Sequence, residues 1–104
     1  MKKVQTIEEF NEQISNNQLT VEIFTTTWCP DCKRLDMFID EIVAEHADKT
    51  WYMVDKDEFP ELAEEHNVMG IPSLLVYKNG EKIAHLHSAN AKTPDQVREF
   101  LNEL

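Results

Sequence analysis

Both cysteines of the chain lie in one run, Trp28-Cys29-Pro30-Asp31-Cys32-Lys33, with two residues between them. At the start of a helix this spacing puts the sulfurs one turn apart, close enough to close a small disulfide ring. Such a pair suits switching between dithiol and disulfide better than stapling distant parts of a fold. The first helical turn has unpaired N–H groups and a partial positive charge, which favour a thiolate at the helix mouth. Cys29 takes that place and is the expected nucleophile. Cys32, one turn inside, should be more buried and less ionised, as befits a thiol that attacks a mixed disulfide and releases the partner. Trp28 is read as a surface aromatic covering the dithiol rather than as a core residue.

The elements that must position this run follow from hydrophobic spacing. Thr6-Ile7-Glu8-Glu9 is a capping-box pattern, and Ile7, Phe10 and Ile14 recur at helical intervals, giving a first helix to about Ser15. Leu19 to Phe24 is short, apolar and β-rich, a strand that delivers the chain to the cysteines. Leu35, Phe38, Ile39, Ile42 and His46 then mark one buried face, predicting a single helix from Cys29 or Pro30 to about Ala47. Trp51 to Val54 reads as a strand, and Pro60 opens a short helix ending by Asn67. Ser73 to Lys78 and Glu81 to His87 flank Asn79-Gly80, a strong hairpin signal. Thr93-Pro94-Asp95-Gln96 caps a closing helix with its apolar stripe on Val97, Phe100, Leu101 and Leu104.

The 104 residues, 41% of them hydrophobic, suffice for one domain and leave no room for a second. Twenty acidic residues against ten Lys and Arg give a formal charge of -10, which opposes nucleic acid and anionic membrane partners. Met1-Lys2-Lys3 is followed by no apolar run, so the expected compartment is the cytoplasm. Thiols are kept reduced there, and a lone close cysteine pair points to catalysis or metal binding rather than a permanent crosslink.

In this order of elements the chain resembles the thioredoxin family over nearly its full length. Four features carry the resemblance: Trp28-Cys29-Pro30-Asp31-Cys32 after a strand, Gly70-Ile71-Pro72-Ser73 opening the next-to-last strand, Lys78-Asn79-Gly80-Glu81 as a turn, and the closing helix. The resemblance implies an α/β thioredoxin fold in a single domain over residues 1–104. Its central mixed sheet of four to five strands would have helices on both faces and a cis Ile71-Pro72 bond before the C-terminal hairpin. It implies a protein-disulfide reductase in which the Ile71 backbone pairs an extended client segment as an added strand. Trp28, Pro30, Asp31, Met69, Gly70, Ile71, Pro72 and Ser88 are the substrate-binding positions it implies. No cofactor would be bound. Disulfide-containing proteins would be the clients of a monomer, with electrons from a flavin-containing thioredoxin reductase or small thiols.

Departures from the family pattern are equally specific. Pro30-Asp31 replaces the usual Gly-Pro, and an acid beside the thiolate opposes the helix terminus unless it is solvated. Ile23 and Met53 stand where the family carries a buried aspartate and a nearby lysine that move protons, so resolution by Cys32 is expected to be slow. Glu22 turns to the opposite strand face from Ile23 and is expected to find a structural partner or reach water; serving as the proton carrier instead would need a one-residue shift in register. Thr25, in place of a second tryptophan, reads as neutral surface, whereas Ser88, in place of a glycine, changes how closely a client backbone approaches. His46 and His66 read as favourable charges or capping donors at helix C-termini. Two other functions remain open: glutaredoxin-like reduction of mixed disulfides with small thiols, and a zinc module using Cys29, Cys32, His85 and His87.

Overall fold

A computed structural model describes residues 1–104 and places a five-stranded sheet between two layers of helices. The strands are β1 (Lys2–Lys3), β2 (Thr20–Thr25), β3 (Thr50–Asp55), β4 (Ser73–Lys78) and β5 (Glu81–Leu86), in spatial order β1-β3-β2-β4-β5. β3 runs parallel to both β1 and β2, whereas β4 is antiparallel to β2 and to β5, so the sheet is mixed. The helices are α1 (Ile7–Ile14), α2 (Pro30–Asp36), α3 (Ile39–Glu45), α4 (Pro60–Glu65) and α5 (Pro94–Asn102).

Strand alternation sorts the core into two clusters. Val21, Ile23, Leu74 and Val76 pack against Leu35, Ile39, Ile42, Val97 and Leu101 of α2, α3 and α5. On the other face Phe24, Val54, Leu75 and Tyr77 pack against Phe10 and Ile14 of α1 and Leu62 and Ala63 of α4. β2 is central and buried along its whole length, which is why all six of its residues are covered.

Local chemistry explains where elements end. Thr6 caps α1 by accepting from the Glu9 N–H at 3.0 Å, and Thr93 with Gln96 forms the reciprocal capping box of α5. α4 ends in a Schellman motif: Asn67 takes φ 61° while the Val68 N–H donates to Ala63 and the Asn67 N–H to Glu64. Asn79 and Gly80 both have positive φ, as a two-residue hairpin turn requires. Their N–H groups donate to the carbonyls of Asn16 and Ile14 at 2.8 Å, so the hairpin tip also satisfies the end of α1.

Four expectations are corrected, and one strand is added. The helix expected from Pro30 to Ala47 is two helices, broken at Met37–Phe38, where i→i+3 bonds to Arg34 and Leu35 tighten the chain. Asp36 and Asp40 would be like charges one turn apart in a continuous helix, and burial together with Asp40 raises the Asp36 pKa. The break leaves Met37 exposed and packs Phe38 against the core. Thr25 is not surface: it is buried at the end of β2, and its carbonyl accepts from the Lys56 N–H at 2.9 Å. His66 does end α4, but its ring is packed edge-on against Phe10 and Tyr77 and its Nδ1 lies 2.7 Å from the Tyr77 hydroxyl. Burial lowers its pKa, favouring the neutral ring over a helix-end cation. Glu22 neither reaches water nor finds a partner: it is fully buried, with both carboxylate oxygens unbonded. β1 is an addition, since two lysines in sequence give no strand pattern and the pairing with Tyr52 and Met53 is made by backbone alone.

Candidate active site

The end of β2 feeds directly into the dithiol run. Cys29 is the N-cap of α2, with extended backbone (φ -77°, ψ 120°), and Pro30 fills the first helical position, where its missing N–H costs nothing. The Cys29 sulfur accepts from the Cys32 N–H at 3.2 Å, replacing the oxygen of an ordinary capping side chain. Both cysteines are free thiols, Cys29 5% and Cys32 1% exposed. Burial, followed by the hydrogen bond from Cys29, pushes the Cys32 thiol up to about 12, with Asp36 adding a smaller like-charge contribution. One sulfur therefore lies at a helix mouth facing the Cys32 N–H, while the other is held protonated beneath it.

A second loop closes over the first. The Ile71-Pro72 peptide is cis, and the Cys29 thiol donates to the Ile71 carbonyl at 3.7 Å. Ser73 braces this loop through a hydroxyl bond to the Gly70 carbonyl at 2.6 Å. Gly70 itself lies against Ser88, so that a Cβ at position 70 would collide with the Ser88 Oγ. The serine standing where the family carries glycine thus abuts a neighbouring glycine. Met69, 85% exposed, and Trp28, 63% exposed, give the site an apolar rim.

Two partners of the dithiol run come from distant sequence and were not anticipated. Trp28 Nε1 donates to Asp57 Oδ2 at 2.7 Å. Asp57 is set in the β3–α4 turn by Asp55, whose carboxylate accepts from the Asp57 N–H at 2.8 Å. Asp31 is not left to solvent, since Lys92 Nζ donates to its carboxylate at 2.8 Å and Arg34 lies 3.8 Å away. The bond to Lys92 is the main reason the Asp31 carboxyl is held below its ordinary pKa. Neither partner shows a local pattern; only the surplus of charge flanking the motif could have suggested one.

The remaining candidates sit elsewhere. Ile23 is fully buried and pairs with Met53 across β3, so two apolar residues face each other where the proton relay was expected to be missing. His85 and His87 stack with ring centroids 3.9 Å apart, and His85 Nδ1 faces Lys82 Nζ at 3.0 Å. Burial and the Lys82 charge hold His85 down to about 4. No group of three or more His, Cys, Asp or Glu converges anywhere in the structure, so the four-ligand zinc grouping with Cys29 and Cys32 is not assembled.

The family model for thioredoxin matches residues 1–103. The chain is 36% identical to thioredoxin-1 of Schizosaccharomyces pombe, covering 86% of this chain and 87% of that one. It is 35% identical to thioredoxin 1 of Plasmodium falciparum, covering 88% of each. The solved thioredoxin of Trypanosoma brucei brucei superposes with a TM-score of 0.88 at 27% identity, over 97% of this chain and 87% of that one. With a cysteine pair at a strand-to-helix junction, a matching mixed sheet and this extent of similarity, the chain belongs to the thioredoxin family of protein-disulfide oxidoreductases.

Proposed function

We propose that the chain reduces disulfides of client proteins. The Cys29 thiolate attacks one client sulfur, forming a mixed disulfide and releasing the other client sulfur as a thiolate. Cys32 then loses its proton and attacks the Cys29 sulfur, expelling the second client thiolate and leaving Cys29-Cys32 as a disulfide. The client gains two electrons and two protons, and the chain loses the same. An external thioredoxin reductase or a small thiol returns them. The chain would act as a monomer in a reducing compartment such as the cytoplasm, where a lone dithiol remains available.

The observation that carries this reading is the asymmetry of the thiols. Cys29 caps α2 and faces the Ile71 carbonyl, where an extended client strand would pair, whereas Cys32 lies buried one turn inside. Ile23 and its β3 neighbour Met53 carry no titratable group, so neither accepts the Cys32 proton. The test is insulin reduction by the wild type, Cys29→Ser and Cys32→Ser. Cys29→Ser should be inert, and Cys32→Ser should stall as a covalent complex with the client. Multiple turnovers by Cys32→Ser on glutathionylated protein, with none by the wild type on insulin, would instead assign small-thiol chemistry.

A further inference from the structure

The middle of the dithiol run is tied to a residue 61 positions away. Lys92 Nζ donates to Asp31 Oδ2 at 2.8 Å, and the two side chains are 44% and 36% exposed. Lys92 is not on a loose segment. Its own N–H donates to Gln96 Oε1 at 2.9 Å, inside the capping box of α5, and the preceding Ala91 is buried in the core. The capping box of α5 therefore fixes the segment just before that helix, from which Lys92 reaches the first turn of α2.

Asp31 lies in that first turn, directly after the N-cap Cys29 and Pro30. A carboxylate there draws on the same positive helix end that favours a thiolate, and it disfavours a second negative charge nearby. A cation held on the carboxylate offsets both effects. The other charged or titratable groups around the run are Cys32, Lys33, Arg34 and Asp36 on α2, and Asp57 from the β3–α4 turn through its bond to Trp28. The loop Met69 to Ser73 contributes the Ile71 carbonyl and no charged side chain. Arg34, at 3.8 Å and on the same helix, is the weaker partner of Asp31, so Lys92 is the main counter-charge.

We propose that Lys92 is a positioning residue for the dithiol reaction, acting through Asp31: it neutralises the acid between the cysteines so that Cys29 ionises against the helix end alone. The proposal rests on the disulfide-exchange reading of the site. It also makes the Cys-Pro-Asp-Cys run dependent on α5, so the redox behaviour of the motif is shared between two elements.

The experiment is the pH profile of Cys29 alkylation by iodoacetamide in the reduced protein, followed on the Cys29 peptide by mass spectrometry. Wild type, Lys92→Ala, Lys92→Arg, Asp31→Asn and the Asp31→Asn/Lys92→Ala double variant are compared. An exposed ion pair is worth a fraction of a pH unit, so Lys92→Ala should move the midpoint up by about 0.3 to 0.7 unit, a two- to five-fold loss of thiolate at fixed lower pH. Lys92→Arg should retain the wild-type midpoint. In the Asp31→Asn background, removing Lys92 should move it by less than half as much, and 0.5 M salt should shrink the Lys92→Ala shift. Coincident midpoints for wild type and Lys92→Ala would overturn the proposal, as would equal shifts in both backgrounds, which would mean that Lys92 acts without Asp31. Insulin reduction by the wild type keeps the two readings apart: activity with coincident midpoints sinks only the role of Lys92, whereas no activity sinks the site.

Discussion

Glu22→Gln measures the cost of a buried acid directly. Glu22 sits between Tyr52 and Leu75 on the α1/α4 face of the sheet, fully buried and without a hydrogen-bond partner for either oxygen. Burial, with a smaller contribution from Glu9, pushes its carboxyl up to about 9 from an ordinary value of 4.5. The folded chain therefore keeps a proton that the unfolded chain releases above about pH 4.5. Stability from this group is full below that value and is lost progressively as pH rises toward 9. At pH 7 the loss is about 2.5 units at 1.36 kcal/mol each, or roughly 3 kcal/mol. Glutamine keeps the shape and a buried polar head but does not titrate. The variant should match the wild type in urea unfolding near pH 4 and exceed it by about 3 kcal/mol at pH 7. That gain corresponds to a rise in Tm on the order of 10 to 20 °C for a domain of this size. Disulfide turnover should be unchanged, because Glu22 and the dithiol are separated by the sheet. Parallel stability curves for the two proteins between pH 4 and 8 would refute the argument, since they would mean that Glu22 is ionised and accommodated in the fold.

Three other outcomes follow from the site. Because burial is the largest cause raising the Cys32 thiol and does not depend on the state of Cys29, stopped-flow release of the client from the Cys29 mixed disulfide should climb through pH 9 without a plateau near neutrality; a neutral plateau would reveal a proton acceptor beside Cys32. Gly70→Ala should cost about 1 to 3 kcal/mol in thermal unfolding, because the new methyl drives out the Ser88 hydroxyl. Adding Ser88→Gly should recover most of that loss, and additive losses would show that the two positions do not touch. Asp57→Ala removes the acceptor of the exposed Trp28 indole, so it should lower the anisotropy of Trp28 fluorescence and raise KM for protein disulfides a few-fold, while stability falls by no more than about 1 kcal/mol.

What could be read from the sequence was whatever is encoded within one helical turn or one strand. The caps at Thr6 and Thr93, the Asn79-Gly80 turn and the apolar faces of α1, β2 and α5 all depend on neighbours a few residues apart, and they lie where their spacing put them. The break at Met37–Phe38 was hidden because the apolar spacing of Leu35, Ile39 and Ile42 stays in register across it. Asp36 and Asp40, one turn apart, are the pair of like charges that disfavours continuity. β1 escaped because its two lysines contribute only backbone to the sheet edge. Thr25 was misplaced for a related reason: a small polar residue at a strand end gives no sign of whether a neighbouring loop will cover it.

Charge is where local reading loses most. Alternation correctly turned Glu22 away from Ile23, yet nothing in a strand pattern says whether the facing helix supplies a partner, and α1 supplies none. Asp31 shows the opposite case, an acid that looks solvated until α5 delivers Lys92 to it. The two outcomes follow from position in the fold. Asp31 lies at a helix end on the rim, where a long cationic side chain can reach it while its ammonium stays hydrated. Glu22 lies in the central strand, where bringing up a lysine would bury a second charge at a cost of several kcal/mol. Protonation is the cheaper solution there, and it shifts the penalty from the contact to the pH of the solvent. The same distinction applies to the cysteines: the Cys29 sulfur accepts from the Cys32 N–H at the mouth of α2, whereas burial holds the Cys32 thiol protonated one turn inside. The asymmetry of the two thiols thus comes from helix position and burial, with no carboxylate, lysine or histidine hydrogen-bonded to either sulfur.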